Sequence, residues 1–232
     1  MSKEFGNVAF LVNSAGIQRY GTDATTSERT WDEVMAINVK GIFLTFRAFF
    51  LLMKSAGASV VNVSSVQAVR TLPDSVAYVT SKHAIAGLTR ALAVDHAQDN
   101  IRVHCVSPGA VDTPMFRSSV QNMEDLASLL QEIAHLHALG RIARPEEVAK
   151  LIALLRSDDA SFTARRSLAG GRRNDGVGSR QTARETDGTS SGVLTRVLHC
   201  SRPSQRASRL CRYNKKAAAD NQEIPAAHSR TV

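Results

Sequence analysis

The chain has 232 residues, 43% of them hydrophobic, and a formal net charge of +8. That length suits one domain with or without a tail, and no uninterrupted apolar run reaches the eighteen or so residues of a membrane span. Cys105, Cys200 and Cys211 show no CxxC spacing, which points to neither a disulfide framework nor a zinc site. The start, MSKEFGNVAF, lacks the apolar stretch of a secretory leader, so a cytoplasmic protein without a membrane partner is expected.

The charge is unevenly placed. Residues 1–163 carry 15 Lys and Arg against 16 Asp and Glu, whereas residues 164–232 carry 14 against 5. The basicity belongs to the last third, where no RNA- or DNA-binding motif appears, so no specific nucleic-acid partner is expected.

In chain order, VAFLV (8–12) predicts a short buried strand, and NSAG follows it. Residues 27–54 predict helix, with Trp31, Val34, Met35 and Ile37 on an apolar face. ASVVNVSS (58–65) reads as the next strand, and 75–98 as a long helix with Ala, Leu and Ile at three- and four-residue spacing. IRVHCVSPG (101–109) is a third strand running into a Pro-Gly loop. MEDLASLLQEIAHL is amphipathic, and RPEEVAKLIALL opens on Pro145 and two glutamates, a good helix start. Alternating strands and helices predict an α/β parallel sheet. After Thr163 the segment is rich in Arg, Gly, Ser and Thr, and only GVLTRVL (192–198) suggests an element, so 164–232 is expected to be a basic tail of low order.

YVTSK (78–82) carries the chemistry. Tyr78 and Lys82, at i and i+4, share one helix face. Ser65 lies thirteen residues earlier, just past a strand end, where the sites of open α/β sheets form. Asn38 interrupts the apolar face of the first helix. Each has an ordinary alternative: surface tyrosine, solvated lysine, strand-ending serine, capping asparagine. His83, His104, His135 and His137 have no carboxylate or cysteine at ligand spacing and read as structural, with no metal site expected.

Taken together, NSAG (13–16), NVKG (38–41), NVSS (62–65), YVTSK (78–82) and SPGAVDTP (107–114) resemble the classical short-chain dehydrogenase/reductases, in order and at that family's spacing, over roughly residues 5–163. The resemblance implies a partial doubly wound, Rossmann-type sheet in residues 1–163. It also implies an NAD(P)-dependent oxidoreductase acting on a secondary alcohol, sugar hydroxyl or ketone, with NAD or NADP as cofactor. In those terms Tyr78 is the general acid/base, Lys82 lowers its pKa and holds the nicotinamide ribose, Ser65 holds the substrate oxygen, and Asn38 positions a water. Asn13, Ala15 and Gly16 would line the adenosine side, while Pro108, Gly109, Val111 and Thr113 would hold the carboxamide. Ser14 stands where the family prefers a second asparagine, which would weaken a tether between strands.

The family's first three strands and the TGxxxGxG turn that receives pyrophosphate have no counterpart in this sequence. A truncated, inactive fragment that self-associates through its long helices is therefore the alternative. At the other end, one set of codons compatible with residues 164–175, read one nucleotide later, spells His-Gly-Ala-Ala-Trp-Leu-Val-Asp-Gly-Gly-Met-Thr. That is an ending of the family's kind, so an out-of-frame tail is expected.

Overall fold

A computed structural model describes residues 6–121, 125–161, 163 and 167–169 of the chain. Four strands form one parallel sheet in sequence order: β1 (Phe10–Asn13), β2 (Ala58–Val63), β3 (Ile101–Ser107) and β4 (Ser167–Ala169). Parallel neighbours need long crossovers. Between β1 and β2 run α1 (Glu28–Met35), a π-helical turn (Ala36–Lys40) and α2 (Gly41–Lys54); between β2 and β3 runs α3 (Val76–Asp95). After β3 come α4 (Pro114–Val120), α5 (Leu126–His135) and α6 (Pro145–Arg156).

Strand alternation decides which helix each residue meets. Val60, Ile101 and Val103 pack with Phe46 and Met53 of α2 and Leu92 of α3, and Cys105 packs with Ile85. The next residues along, Val61 and Val106, meet Leu155 and Ala160 on the opposite face. With both faces covered, β2 and β3 can be nearly continuous apolar runs. Arg102, also on the α6 side, donates to the carbonyls of Leu155 (3.0 Å) and Ala160 (2.9 Å), tying β3 to the end of that helix. His104 beside it is fully buried, and burial together with the Arg102 charge lowers its pKa to about 4.

β1 begins two residues later than the apolar run suggests. Val8 donates its amide to Leu52 of α2 (3.2 Å) and packs into the core, so it serves the helix and not the ladder. Among the described residues β1 bonds only to β2, and Val12 at this edge is 37% exposed. β4 is a second difference. It lies beyond the boundary expected at 163 and pairs Ser167–Ala169 with Cys105–Ser107. The element suggested at 192–198 falls outside the described residues.

The rod from Glu28 to Lys54 is long and apolar enough to cross a membrane by length and composition, which Thr45 and Arg47 hide when runs alone are counted. It lies instead along the sheet. Val34, Asn38, Ile42 and Phe46, all 4% exposed or less, recur every fourth residue. In a plain α-helix of 3.6 residues per turn such a stripe drifts by about 40° at each step. The wider π turn, centred on Asn38, absorbs that drift. The outer face leaves Phe43, Leu44 and Leu51 exposed.

Candidate active site

The carboxyl ends of β1, β2 and β3 open onto a cleft of about 390 Å³, where open α/β sheets place their ligands. Local hydrogen bonds set its floor. Ser64 accepts no freedom at the end of β2: its amide donates to Val106 (2.7 Å) and its hydroxyl to the Lys82 carbonyl (2.8 Å). Val66 then donates to the Pro108 carbonyl at 2.8 Å, joining the exits of β2 and β3. Ser65, between them, has extended backbone and caps a 3-10 turn, its hydroxyl accepting from the Gln67 amide at 3.1 Å.

Ser65, Tyr78 and Lys82 all line this cleft and are each more than nine-tenths buried. Burial raises the Tyr78 phenol's pKa, and the neighbouring Ser65 hydroxyl opposes the rise. Lys82 donates to the Val63 carbonyl at 3.2 Å and stands 5.4 Å from the centroid of the Tyr78 ring. Burial lowers its pKa to about 8, against a small opposing influence of Cys105. Lys82 is thus held beside the Tyr78 ring by the end of β2. Spacing along the helix brings the two side chains together but does not decide that orientation.

Asn38 is completely buried with its carboxamide occupied. Both amide hydrogens are used, one on the Ile17 carbonyl and one on the Ser81 hydroxyl (2.9 Å each), and its oxygen accepts from the Ile17 amide at 2.8 Å. It works as a tether between the loop after β1 and α3. A Cβ on Gly16 would stand 3.3 Å from the Asn38 oxygen and 3.5 Å from Lys82 Nζ. A bare glycine keeps the approach to the ammonium open.

Asn13 is not on the cleft. Its amide donates to the Asn62 oxygen at 2.8 Å, and its own oxygen accepts from the Thr45 hydroxyl at 2.7 Å. Asn62 in turn donates to Thr89 at 3.0 Å. This buried ladder is the tether between strands, and it is complete with serine at position 14, because Ser14 lies outside it and lines the cleft. Ala15 is exposed and does not line the cleft, whereas Gly16 does. Pro108, Gly109, Val111 and Thr113 all line it. The outer wall is made by Tyr20, Leu72, Met115, Phe116, Ile133 and Leu136; from the sequence the pocket is expected along residues 65–75 and 113–138, which hold all of these but Tyr20. Single apolar residues in loops and short helices carry no spacing signal.

The sequence matches the family described as Enoyl-(Acyl carrier protein) reductase over residues 1–169. It is 33% identical over 165 residues to Dehydrogenase/reductase SDR family member 6 of Danio rerio, covering 70% of this chain and 67% of that one. The chain belongs to the short-chain dehydrogenase/reductase family. A ligand-free aldohexose dehydrogenase of Thermoplasma acidophilum, 35% identical, superposes with a TM-score of 0.69 over 72% of this chain and 68% of its own. The structure described as ElxO with NADP bound is 26% identical with a TM-score of 0.66, over 72% of this chain and 67% of its own. The chain thus spans about two thirds of the length of these short-chain dehydrogenase/reductases. The family match ends where β4 ends, six residues past the boundary read from the sequence.

Proposed function

We propose that the chain is built for NAD(P)-linked interconversion of a secondary alcohol and its ketone, with Ser65, Tyr78 and Lys82 as the reacting constellation. The observation that carries this reading is the convergence of the buried Ser65, Tyr78 and Lys82 side chains on one cleft at the strands' carboxyl ends. When bound, the nicotinamide supplies the carbon that exchanges hydride. In the oxidation direction Tyr78 takes the proton from the substrate hydroxyl, which asks for a phenolate. A raised phenol pKa works against that, so the Ser65 hydroxyl and the positive Lys82 nearby have to offset burial. Ser65 holds the substrate oxygen against the phenol. Lys82 faces the glycine-lined side, where ribose hydroxyls could accept from it. Asn38 holds Ile17, and with it the Gly16 side of the cleft, in place.

The walls speak to the substrate. Past the serine and tyrosine the cleft is bounded by Leu72, Met115, Phe116, Ile133 and Leu136, which suit a compact alcohol or ketone with an apolar body better than a sugar ring. The test is NADH and NADPH oxidation over a panel of cyclic ketones, and NAD+ and NADP+ reduction over aldohexoses, with Tyr78→Phe as control. Turnover of an apolar ketone that disappears in Tyr78→Phe supports the reading. Turnover unaffected by that change overturns it.

A second reading is a non-catalytic member that associates through its helices, favoured by the exposed Phe43, Leu44 and Leu51 on α2. Exposed apolar faces of this kind mark association surfaces. Failure to bind either dinucleotide, together with a defined oligomer, would favour it.

A further inference from the structure

Behind the Pro-Gly loop sits His137, 7% exposed and absent from the cleft wall. Its two ring nitrogens have different partners. Nδ1 lies 2.8 Å from the Ile133 carbonyl, which can only accept, so Nδ1 carries the proton. Nε2 accepts from the Ala110 amide at 2.9 Å, so it carries none. These two bonds fix a neutral ring in one tautomer.

The Nε2–Cδ2 edge of the ring also abuts Gly109. A Cβ there would stand 2.7 Å from His137 Cδ2 and closer still to Nε2, so only glycine allows the contact. The same stretch of chain grips the loop twice more: Ala143 donates to the Ala110 carbonyl (3.0 Å), and Asp112 donates to the Ala143 carbonyl (2.9 Å). Both polar groups of the Ala110 backbone are therefore committed. A planar trans peptide sets the Gly109 carbonyl opposite the Ala110 N–H. With that N–H turned back onto His137, the Gly109 carbonyl is turned away from it, and Gly109 itself lines the cleft.

We infer that His137 is a positioning residue for the nicotinamide end of the site: acting through the Ala110 amide and Gly109, it orients the loop's carbonyls to receive a carboxamide. This rests on the reading of the cleft as a nicotinamide site. His137 needs no contact with cofactor or substrate for this role, and its signature is a dependence on acceptor capacity rather than on bulk.

The experiment compares the full-length chain with His137→Leu, which keeps apolar volume, and His137→Gln, which keeps an acceptor. Residue-resolved amide exchange should show Ala110 protected in wild type, at least about tenfold faster in His137→Leu, and near wild type in His137→Gln. NADH and NADPH titrations should follow the same order. In wild type alone, a long-range proton–nitrogen spectrum should show Nε2 unprotonated; a protonated Nε2 overturns the inference even if neither variant folds. Unchanged Ala110 exchange in His137→Leu, or equal loss in both variants, also overturns it. Wild type that binds cofactor while His137→Leu binds it equally well sinks the positioning role alone. Wild type that binds neither dinucleotide sinks the nicotinamide reading and this role with it.

Discussion

Lys82 Nζ stands 5.4 Å from the centroid of the Tyr78 ring while donating to the Val63 carbonyl at 3.2 Å. The β2 end thus holds a buried ammonium above the aromatic face, with its charge available to the cleft and its position set by the main chain. Lys82 is 6% exposed, and that placement has an energetic consequence. Lowering a lysine pKa from 10.5 to about 8 corresponds to about 3 kcal/mol against the charged folded form.

We therefore expect Lys82→Met to raise the melting temperature at pH 7 while removing activity. The sign follows from linkage. The folded pKa lies below the unfolded one, so between about pH 8 and 10.5 the unfolded chain binds more protons and wild-type stability rises with pH. The advantage of Lys82→Met should shrink as pH rises through that window. Calorimetry at pH 7 and pH 10 checks it; a variant less stable at pH 7, or a gain that grows with pH, contradicts the assignment.

Tyr78→Phe should lower turnover about 1,000-fold, in the range for losing a positioned proton donor. Cofactor affinity should change less than about twofold, because the ring and its packing remain. Steady-state rates alongside fluorescence titration separate the two effects.

The Asn13–Asn62 pair supports the sheet and not the chemistry. Asn13→Ala leaves the Asn62 oxygen and the Thr45 hydroxyl without their buried partner, and stability should fall by about 2 kcal/mol. A double-mutant cycle with Asn62→Ala, read by urea unfolding, should return a coupling energy well above zero. Strictly additive losses would show that the bond contributes nothing.

Leu51, 76% exposed on α2, tests association. If this face is a contact between copies, Leu51→Glu should shift sedimentation toward monomer without altering the fold. A wild-type chain that is monomeric at every concentration would remove the self-association reading.

For the tail, the coding DNA of residues 164–175, read one nucleotide later, should spell His-Gly-Ala-Ala-Trp-Leu-Val-Asp-Gly-Gly-Met-Thr. In that reading Ala-Trp-Leu would occupy the positions where Ser167–Ala169 pair with Cys105–Ser107. Codons incompatible with the string end the idea.

The sheet and the Tyr78–Lys82–Ser65 cluster were legible because each depends on short-range spacing: apolar runs for β2 and β3, i and i+4 on α3, and a serine at a strand end. What escaped depends on distant pairs. The bond from Asn13 runs to Asn62, 49 residues away, and His137 receives the amide of a residue 27 back. Between Tyr78 and Lys82, helix spacing says that two side chains meet, and rotamers say how.

The π turn also bears on how relatives should be aligned. Its extra width brings Val34, Asn38 and Ile42 onto one line. A relative with one residue fewer between 36 and 40 could retain every motif letter and still swing the carboxamide away from Ile17. At this point in the chain, spacing counts as much as identity, and an indel would be more damaging than many substitutions.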